Sequence, residues 1–214
     1  MHFLSEVIEK YVAEHSQDEP ELLKELSRET HLKVIHPRML SGHLQGRILS
    51  LFSKIVRPNN ILEIGTYTGY SAICMAEGLA KDGQLYTIDI NEELFDFQRA
   101  YFDRSGYGKQ IVQHVGDALD IIPTLDMHFD MVFIDADKPN YSAYFDLVID
   151  RMTPGGIILS DNVLWSGKVI ENPIDENDKS AVALVAYNKK LKNDPRIETV
   201  LLPIRDGLTL SRVL

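Results

Sequence analysis

From Ile61 onward the chain alternates two kinds of segment, and that alternation restricts the fold more than any other feature. ILEIG, QLYTIDI, QIVQHVG, FDMVFIDA and GGIILSD are short runs dense in apolar residues. Longer segments with helical spacing separate them: Leu94, Phe97 and Tyr101 in one, and Tyr141, Tyr144, Phe145 and Val148 in another. Strands that are apolar throughout must be covered on both faces, and the intervening helices supply the cover. The predicted architecture is therefore a doubly wound α/β domain with a mostly parallel sheet. A further helix is predicted over about 177–192, where Ala181, Leu184, Val185 and Leu191 share a stripe. The chain closes with IETVLLPI and LTLSRVL around Arg205-Asp206-Gly207, a turn signal that predicts an antiparallel hairpin at the sheet edge.

Residues 1–58 read instead as a helical N-terminal extension. Leu4, Ile8 and Tyr11 share a face, as do Leu22, Leu23 and Leu26. In a third segment Leu44, Ile48, Leu51 and Ile55 recur at four, three and four, giving one apolar stripe. Ser41 is placed to cap its start, and Pro58-Asn59-Asn60 stops it. With no repeat, low-complexity stretch or linker, residues 1–214 are expected to form a single domain.

Charge narrows the classes of partner. Against 32 Asp and Glu stand 22 Lys and Arg, a net charge of −10. That balance opposes a main role in gripping nucleic acid or an anionic membrane, leaving at most a local patch near Arg38, Arg47 and Lys168. The single cysteine, Cys74, has no partner for an internal disulfide and cannot build a thiolate metal site. No apolar run reaches bilayer length and MHFLSEVIEK lacks a signal-peptide core, so a cytoplasmic location away from membranes is expected.

In an open α/β sheet, ligands sit outside the carboxyl ends of the strands. Those ends carry Glu63 with the turn Gly65-Thr66-Tyr67-Thr68-Gly69, then Asp89, Gly116-Asp117-Ala118, Asp135-Ala136-Asp137-Lys138, and Asp161-Asn162. The abundance of acids is unlike a phosphate site. The glycine turn also lacks the third glycine of a dinucleotide site and the lysine of a triphosphate site. A ligand with a ribose and an adenine, no phosphate and a positive charge fits better, and S-adenosylmethionine is such a ligand. Glu63 would favour its cationic groups, Asp89 would accept both ribose hydroxyls, and Asp117 would face the adenine amino group. By itself the glycine pair is equally consistent with a tight strand–helix turn. The acids at the next two strand ends favour the cofactor.

A second cluster joins Asp135 to Asp161 and Asn162 at the ends of adjacent parallel strands. Two carboxylates and an amide carbonyl are hard oxygen ligands suited to Mg²⁺, with Mn²⁺ or Ca²⁺ as alternatives. Taken singly, Asp161-Asn162 also makes an ordinary polar turn. Lys138 could take a proton from a hydroxyl held there, whereas an exposed loop lysine would be only a solvated cation. Trp165 could wall an aromatic substrate or cap the core.

LEIGTYTGYS (62–71), TIDIN (87–91), GDAL (116–119), VFIDADKPNY (132–141), GGIILSDNVLWSG (155–167) and DPRIETVLLPIRDGLTL (194–210) resemble the cation-dependent O-methyltransferases of the caffeoyl-CoA and catechol type. The six blocks cover the chain from about Ser41 to its end, in order and with matching spacing. The resemblance implies a Rossmann-like seven-stranded sheet. It also implies cofactor contacts at Ser41, Glu63, Gly65, Thr66, Ser71, Asp89, Asp117, Ala118, Asp135 and Asp137. The metal ligands it implies are Asp135, Asp161 and Asn162, with Lys138 catalytic and the enzyme a homodimer. The implied substrate is a small aromatic with adjacent oxygens. Ser166 stands where the plant enzymes carry a substrate-touching asparagine, and some bacterial relatives act instead on a hydroxylated uridine of tRNA. A non-catalytic cofactor-binding module is the reading from a different class, and the complete Asp135, Lys138, Asp161 and Asn162 set opposes it.

Overall fold

The computed structural model describes residues 6–214, so Leu4, one of the three residues expected to share a face, lies outside the described residues. Three helices come first: α1 (Glu6–Glu14), α2 (Glu21–Lys33) and α3 (Gly42–Val56). Strands and helices then alternate as β1 (Asn60–Ile64), α4 (Tyr70–Ala76), β2 (Gln84–Asp89), α5 (Phe95–Arg104) and β3 (Ile111–Val115). After the short α6 (Ala118–Ile121) come β4 (Phe129–Ile134), α7 (Tyr141–Ile149), β5 (Met152–Asp161) and α8 (Lys179–Asn193). The hairpin β6 (Ile197–Leu202) and β7 (Leu208–Val213) closes the chain.

The seven strands form one sheet in the order β3-β2-β1-β4-β5-β7-β6. All pairings from β3 to β5 are parallel, and the hairpin joins β5 antiparallel through β7. The continuous apolar runs have the cause expected of them. Alternate residues feed two separate cores, one on each face of the sheet. Leu62, Ile64, Val132 and Ile134 pack under α7 and α8, while Ile61, Met131, Phe133 and Leu159 pack under α2, α3, α4 and α5. The chain runs outward from β1 to β3 and then returns to place β4 on the other side of β1. Strand order therefore reverses between β1 and β4, which opens a crevice at the carboxyl ends of those two strands.

The third helical segment departs from its sequence reading. The side of α3 that packs carries Gln45, Gly46, Leu49, Ser50 and Ser53, while Leu51 and Ile55 of the apolar stripe are 60% and 69% exposed. The reason is close approach to α4. A Cβ on Gly46 would lie 2.6 Å from the Tyr70 ring and 2.8 Å from Cys74 Sγ, so small residues must form the contact. Ser41 also differs from expectation: its backbone is already helical and its side chain makes no cap hydrogen bond. In α1, Ile8 and Tyr11 are exposed, whereas Leu23 and Leu26 of α2 are buried. No described helix is long and apolar enough to cross a membrane.

Candidate active site

At the end of β1 the chain turns sharply through Gly65 (φ +101°) and Gly69 (φ +86°), both in the region that favours glycine. The turn lies tight against β4: a Cβ on Gly65 would come within 2.2 Å of the Asp135 carbonyl oxygen. Glu63 lies beneath it, completely buried, and accepts hydrogen bonds from Ser71 Oγ and Thr87 Oγ1, each at 2.5 Å. Burial pushes its carboxyl up to about 8, against the lowering effect of the two hydroxyls. Thr66 Oγ1 lies 2.5 Å from Thr87 Oγ1, so the turn, β2 and the head of α4 share one polar network.

Asp89 fastens the other side of the turn. Its Oδ2 accepts the Tyr67 N–H at 2.7 Å and its Oδ1 the Asn91 N–H at 2.9 Å. Each carboxylate oxygen has two acceptor sites, so Asp89 keeps capacity for a pair of hydroxyls. At the next strand end Asp117 caps α6, accepting the Leu119 N–H at 2.8 Å, with Ala118 buried beside it. Glu63, Asp89 and Asp117 thus stand at or just after the carboxyl ends of β1, β2 and β3.

The other side is built on β4 and β5. Ile134 pairs with Ser160, so Asp135 and Asp161 leave adjacent strand ends side by side. Lys138 is buried, not solvated. Its Nζ lies 3.1 Å from Asp135 Oδ1 and donates to the Tyr141 hydroxyl at 2.7 Å. Burial raises the Asp135 carboxyl to about 6; Lys138 opposes the rise and the neighbouring Asp161 adds to it. Asp161 Oδ1 accepts the backbone N–H of Asn162 at 2.8 Å, and Asn162 itself adopts the left-handed conformation (φ +57°) that asparagine tolerates. Asp137 points its carboxylate at Tyr144 Oη (2.5 Å) and Asn140 Nδ2 (2.7 Å), which orders the loop into α7.

Three participants were not found in the sequence. Tyr141 had been read only as part of an apolar stripe, yet its hydroxyl donates to the carbonyls of Ile134 (3.2 Å) and Asp161 (3.0 Å), tying both strand ends together. Gln45 Nε2 donates to Asp161 Oδ2 at 2.6 Å, and Arg205 Nη1 donates to Gln45 Oε1 at 2.8 Å. Tyr141 carried a signal, since it closes the same block, VFIDADKPNY, that holds Asp135 and Lys138. Gln45 and Arg205 lie 116 and 44 residues from Asp161, and nothing local connects them to it.

Trp165 caps the core, packing under α7 and α8, and its indole Nε1 lies 3.2 Å from both Asp178 oxygens. The neighbouring Ser166 is exposed, its N–H held by Asp206 at 2.5 Å. Of the residues that could form a local basic patch, Arg47 pairs with Glu77 (2.7 Å) and Lys168 with Asp178 (2.6 Å).

This geometry can be set beside known proteins. A family profile described as O-methyltransferase matches residues 13–214. The caffeoyl-CoA O-methyltransferase of Pinus taeda is 38% identical over 97% of this chain and 85% of its own length. The chain belongs to the S-adenosylmethionine-dependent O-methyltransferase family. Among this family's members, the caffeoyl-CoA O-methyltransferase of Petroselinum crispum is 37% identical over 97% of this chain and 91% of its own. The fold agrees throughout. The O-methyltransferase TomG from Streptomyces achromogenes, solved in complex with SAM, superposes with a TM-score of 0.89 at 30% identity over 97% and 96% of the two chains. The O-methyltransferase from Bacillus cereus, solved in complex with SAH, gives a TM-score of 0.87 at 29% identity over 97% of each chain.

Proposed function

We propose that this O-methyltransferase moves a methyl group from S-adenosylmethionine to one hydroxyl of a small phenolic substrate with adjacent oxygens, such as a catechol, with a divalent cation gathering those oxygens. The observation that carries the reading is the placement of Asp135 and Asp161 side by side at the ends of the adjacent strands β4 and β5, with Lys138 buried against Asp135.

The residues present fit both absent groups. For the cofactor, Asp89 retains acceptor capacity for two hydroxyls beside the Gly65 turn, whose glycine lets the turn lie directly on the Asp135 backbone. Ser41, Glu63, Gly65, Thr66, Ser71, Asp89, Asp117, Ala118, Asp135 and Asp137 would surround it. S-adenosylmethionine supplies a methyl group made electrophilic by the sulfonium. For the cation, Asp135, Asp161 and Asn162 offer hard oxygen donors, Mg²⁺ being the first choice and Mn²⁺ or Ca²⁺ alternatives. A divalent cation supplies Lewis acidity that favours the ionised form of a phenol.

The chain's own residues then do three things. Asp135 and Asp161, with Tyr141 locking their strand ends, fix where the substrate oxygens lie relative to the Gly65 turn. Such fixed alignment of nucleophile and methyl carbon is the main source of rate in a displacement of this kind. Lys138 Nζ, beside Asp135, would first release its own ammonium proton to solvent and, as the neutral amine, take the hydroxyl proton. Trp165, on the loop after Asn162, bounds the space for the ring. Residues 1–214 act as one domain, and two copies associate through the exposed apolar stripe of α3 that includes Leu51 and Ile55.

The test is a labelled-methyl transfer screen against catechols, hydroxycinnamoyl-CoA esters and tRNA, with and without Mg²⁺. Label on catechols or esters that depends on the cation is expected. Label entering tRNA alone would replace the substrate class, and no transfer despite cofactor binding would replace the enzyme reading with a binding module.

A further inference from the structure

The turn between β6 and β7 touches the loop after β5 on one side and the start of α3 on the other. Toward β5, the carbonyls of Gly207 and Asp206 accept the N–H groups of Val163 (3.2 Å) and Leu164 (2.9 Å), and the Asp206 carboxylate accepts that of Ser166. Toward α3, the Arg205 guanidinium donates to the carbonyls of Ser41 and Leu40 and to Gln45 Oε1. Gln45 passes the connection inward. Its Nε2 reaches Asp161 Oδ2 at 2.6 Å, and both residues are buried, at 1% and 2% exposure.

The chemistry at this point admits few side chains. A guanidinium can only donate hydrogen bonds and an ionised carboxylate can only accept them. A side chain bridging the two must therefore accept at one end and donate at the other, which the amide of glutamine does. The same constraint fixes the amide's orientation, with Oε1 toward Arg205 and Nε2 toward Asp161. Glutamate in its place would bond Arg205 and repel Asp161. An apolar residue would leave a buried carboxylate oxygen without this donor, a costly arrangement.

We infer that Gln45, anchored by Arg205, is a positioning residue that sets the plane of the Asp161 carboxylate for cation binding. With Oδ2 held by Gln45 and Oδ1 by the Asn162 N–H, the carboxylate cannot rotate about its last torsion without losing a bond. One lone-pair direction on each oxygen stays free for a ligand. Groups that orient a metal-ligating carboxylate in this way typically change metal affinity by about 10–100-fold when removed. This rests on the reading of Asp135, Asp161 and Asn162 as a cation site. It adds two residues from distant parts of the chain: one on a helix that supplies no ligand, the other on a hairpin turn.

The experiment is a Mn²⁺ titration of chelator-stripped protein followed by electron paramagnetic resonance of the free ion. It compares the wild type with Gln45→Met, Arg205→Met and Arg205→Lys, and pairs each with calorimetry of S-adenosylmethionine binding and a melting curve. Gln45→Met is expected to weaken Mn²⁺ about 10–100-fold while cofactor affinity stays within about twofold. Arg205→Met should give a smaller loss in the same direction, partly restored in Arg205→Lys. Because Arg205 sits on an exposed turn, its variants remain informative if Gln45→Met fails to fold. Unchanged Mn²⁺ affinity in the variants, with the wild type binding normally, overturns the positioning role and leaves the cation site standing. Parallel losses of Mn²⁺ binding, cofactor binding and melting temperature overturn it in favour of plain structural support. Failure of the wild type to bind Mn²⁺ overturns the cation site itself.

Discussion

Lys138 and Asp161 lie within one buried cluster but are assigned different work, and substitution separates them. Lys138→Ala removes the proton acceptor and should lower turnover at every cation concentration, by roughly 10²–10⁴-fold, the usual range for a general base. Asp161→Ala removes a ligand, so the Mg²⁺ concentration for half-maximal activity should rise and excess Mg²⁺ should restore part of the rate. Steady-state kinetics across a Mg²⁺ series distinguishes the two, and a Lys138→Ala enzyme with normal turnover would take lysine out of the chemistry. Glu63 gives a prediction in pH. Its carboxyl titrates near 8 in the folded protein against an ordinary value of 4.5. The folded state thus binds the extra proton, and its contribution to stability is complete below the unfolded value and is lost as pH rises through the folded one. Between about pH 5 and 8.5 the melting temperature of Glu63→Gln should fall less than that of the wild type; equal slopes would mean that Glu63 is ionised throughout.

At the scale of elements, the glycines mark where segments must approach closely. Gly65→Ala would drive a methyl into the Asp135 carbonyl and strain a positive φ, so it should weaken cofactor binding and lower stability together. Gly46→Val should cost about 1–3 kcal/mol through overpacking of α3 on α4, measured by urea denaturation. An unchanged midpoint would show that the helices can separate freely. The same helix shows what the sequence could and could not disclose. The β strands were readable because burial on both faces makes them apolar without interruption. The order of acids at their ends was readable because each lies within two residues of its strand's last residue. The orientation of α3 was not, because its buried face is chosen for smallness (Gly46, Ser50, Ser53) and its apolar stripe faces outward. Gln45 was hidden for a related reason: a buried glutamine on a helix looks like a surface residue until the carboxylate it serves, 116 positions away, is placed beside it.

On the scale of the whole molecule, the outward stripe of α3 should mediate self-association. Light scattering is expected to show a mass near twice 24.3 kDa for the wild type, and Leu51→Glu with Ile55→Glu should reduce it to that of one chain. A wild type that already runs as a single chain would remove the dimer. The larger division within the molecule is between the two walls of the crevice. On the proposed function, the wall formed by the Gly65 turn, Asp89 and Asp117 would hold the cofactor, and the wall formed by Asp135, Asp161 and Asn162 would hold the cation. Binding and turnover should therefore come apart when divalent ions are stripped. The decisive measurement pairs calorimetry of S-adenosylmethionine binding with labelled-methyl transfer to a catechol, both in chelator and again after Mg²⁺ is restored. Near-normal cofactor affinity in chelator, no transfer, and recovery of transfer with Mg²⁺ is the expected result. Full transfer in chelator would contradict the account.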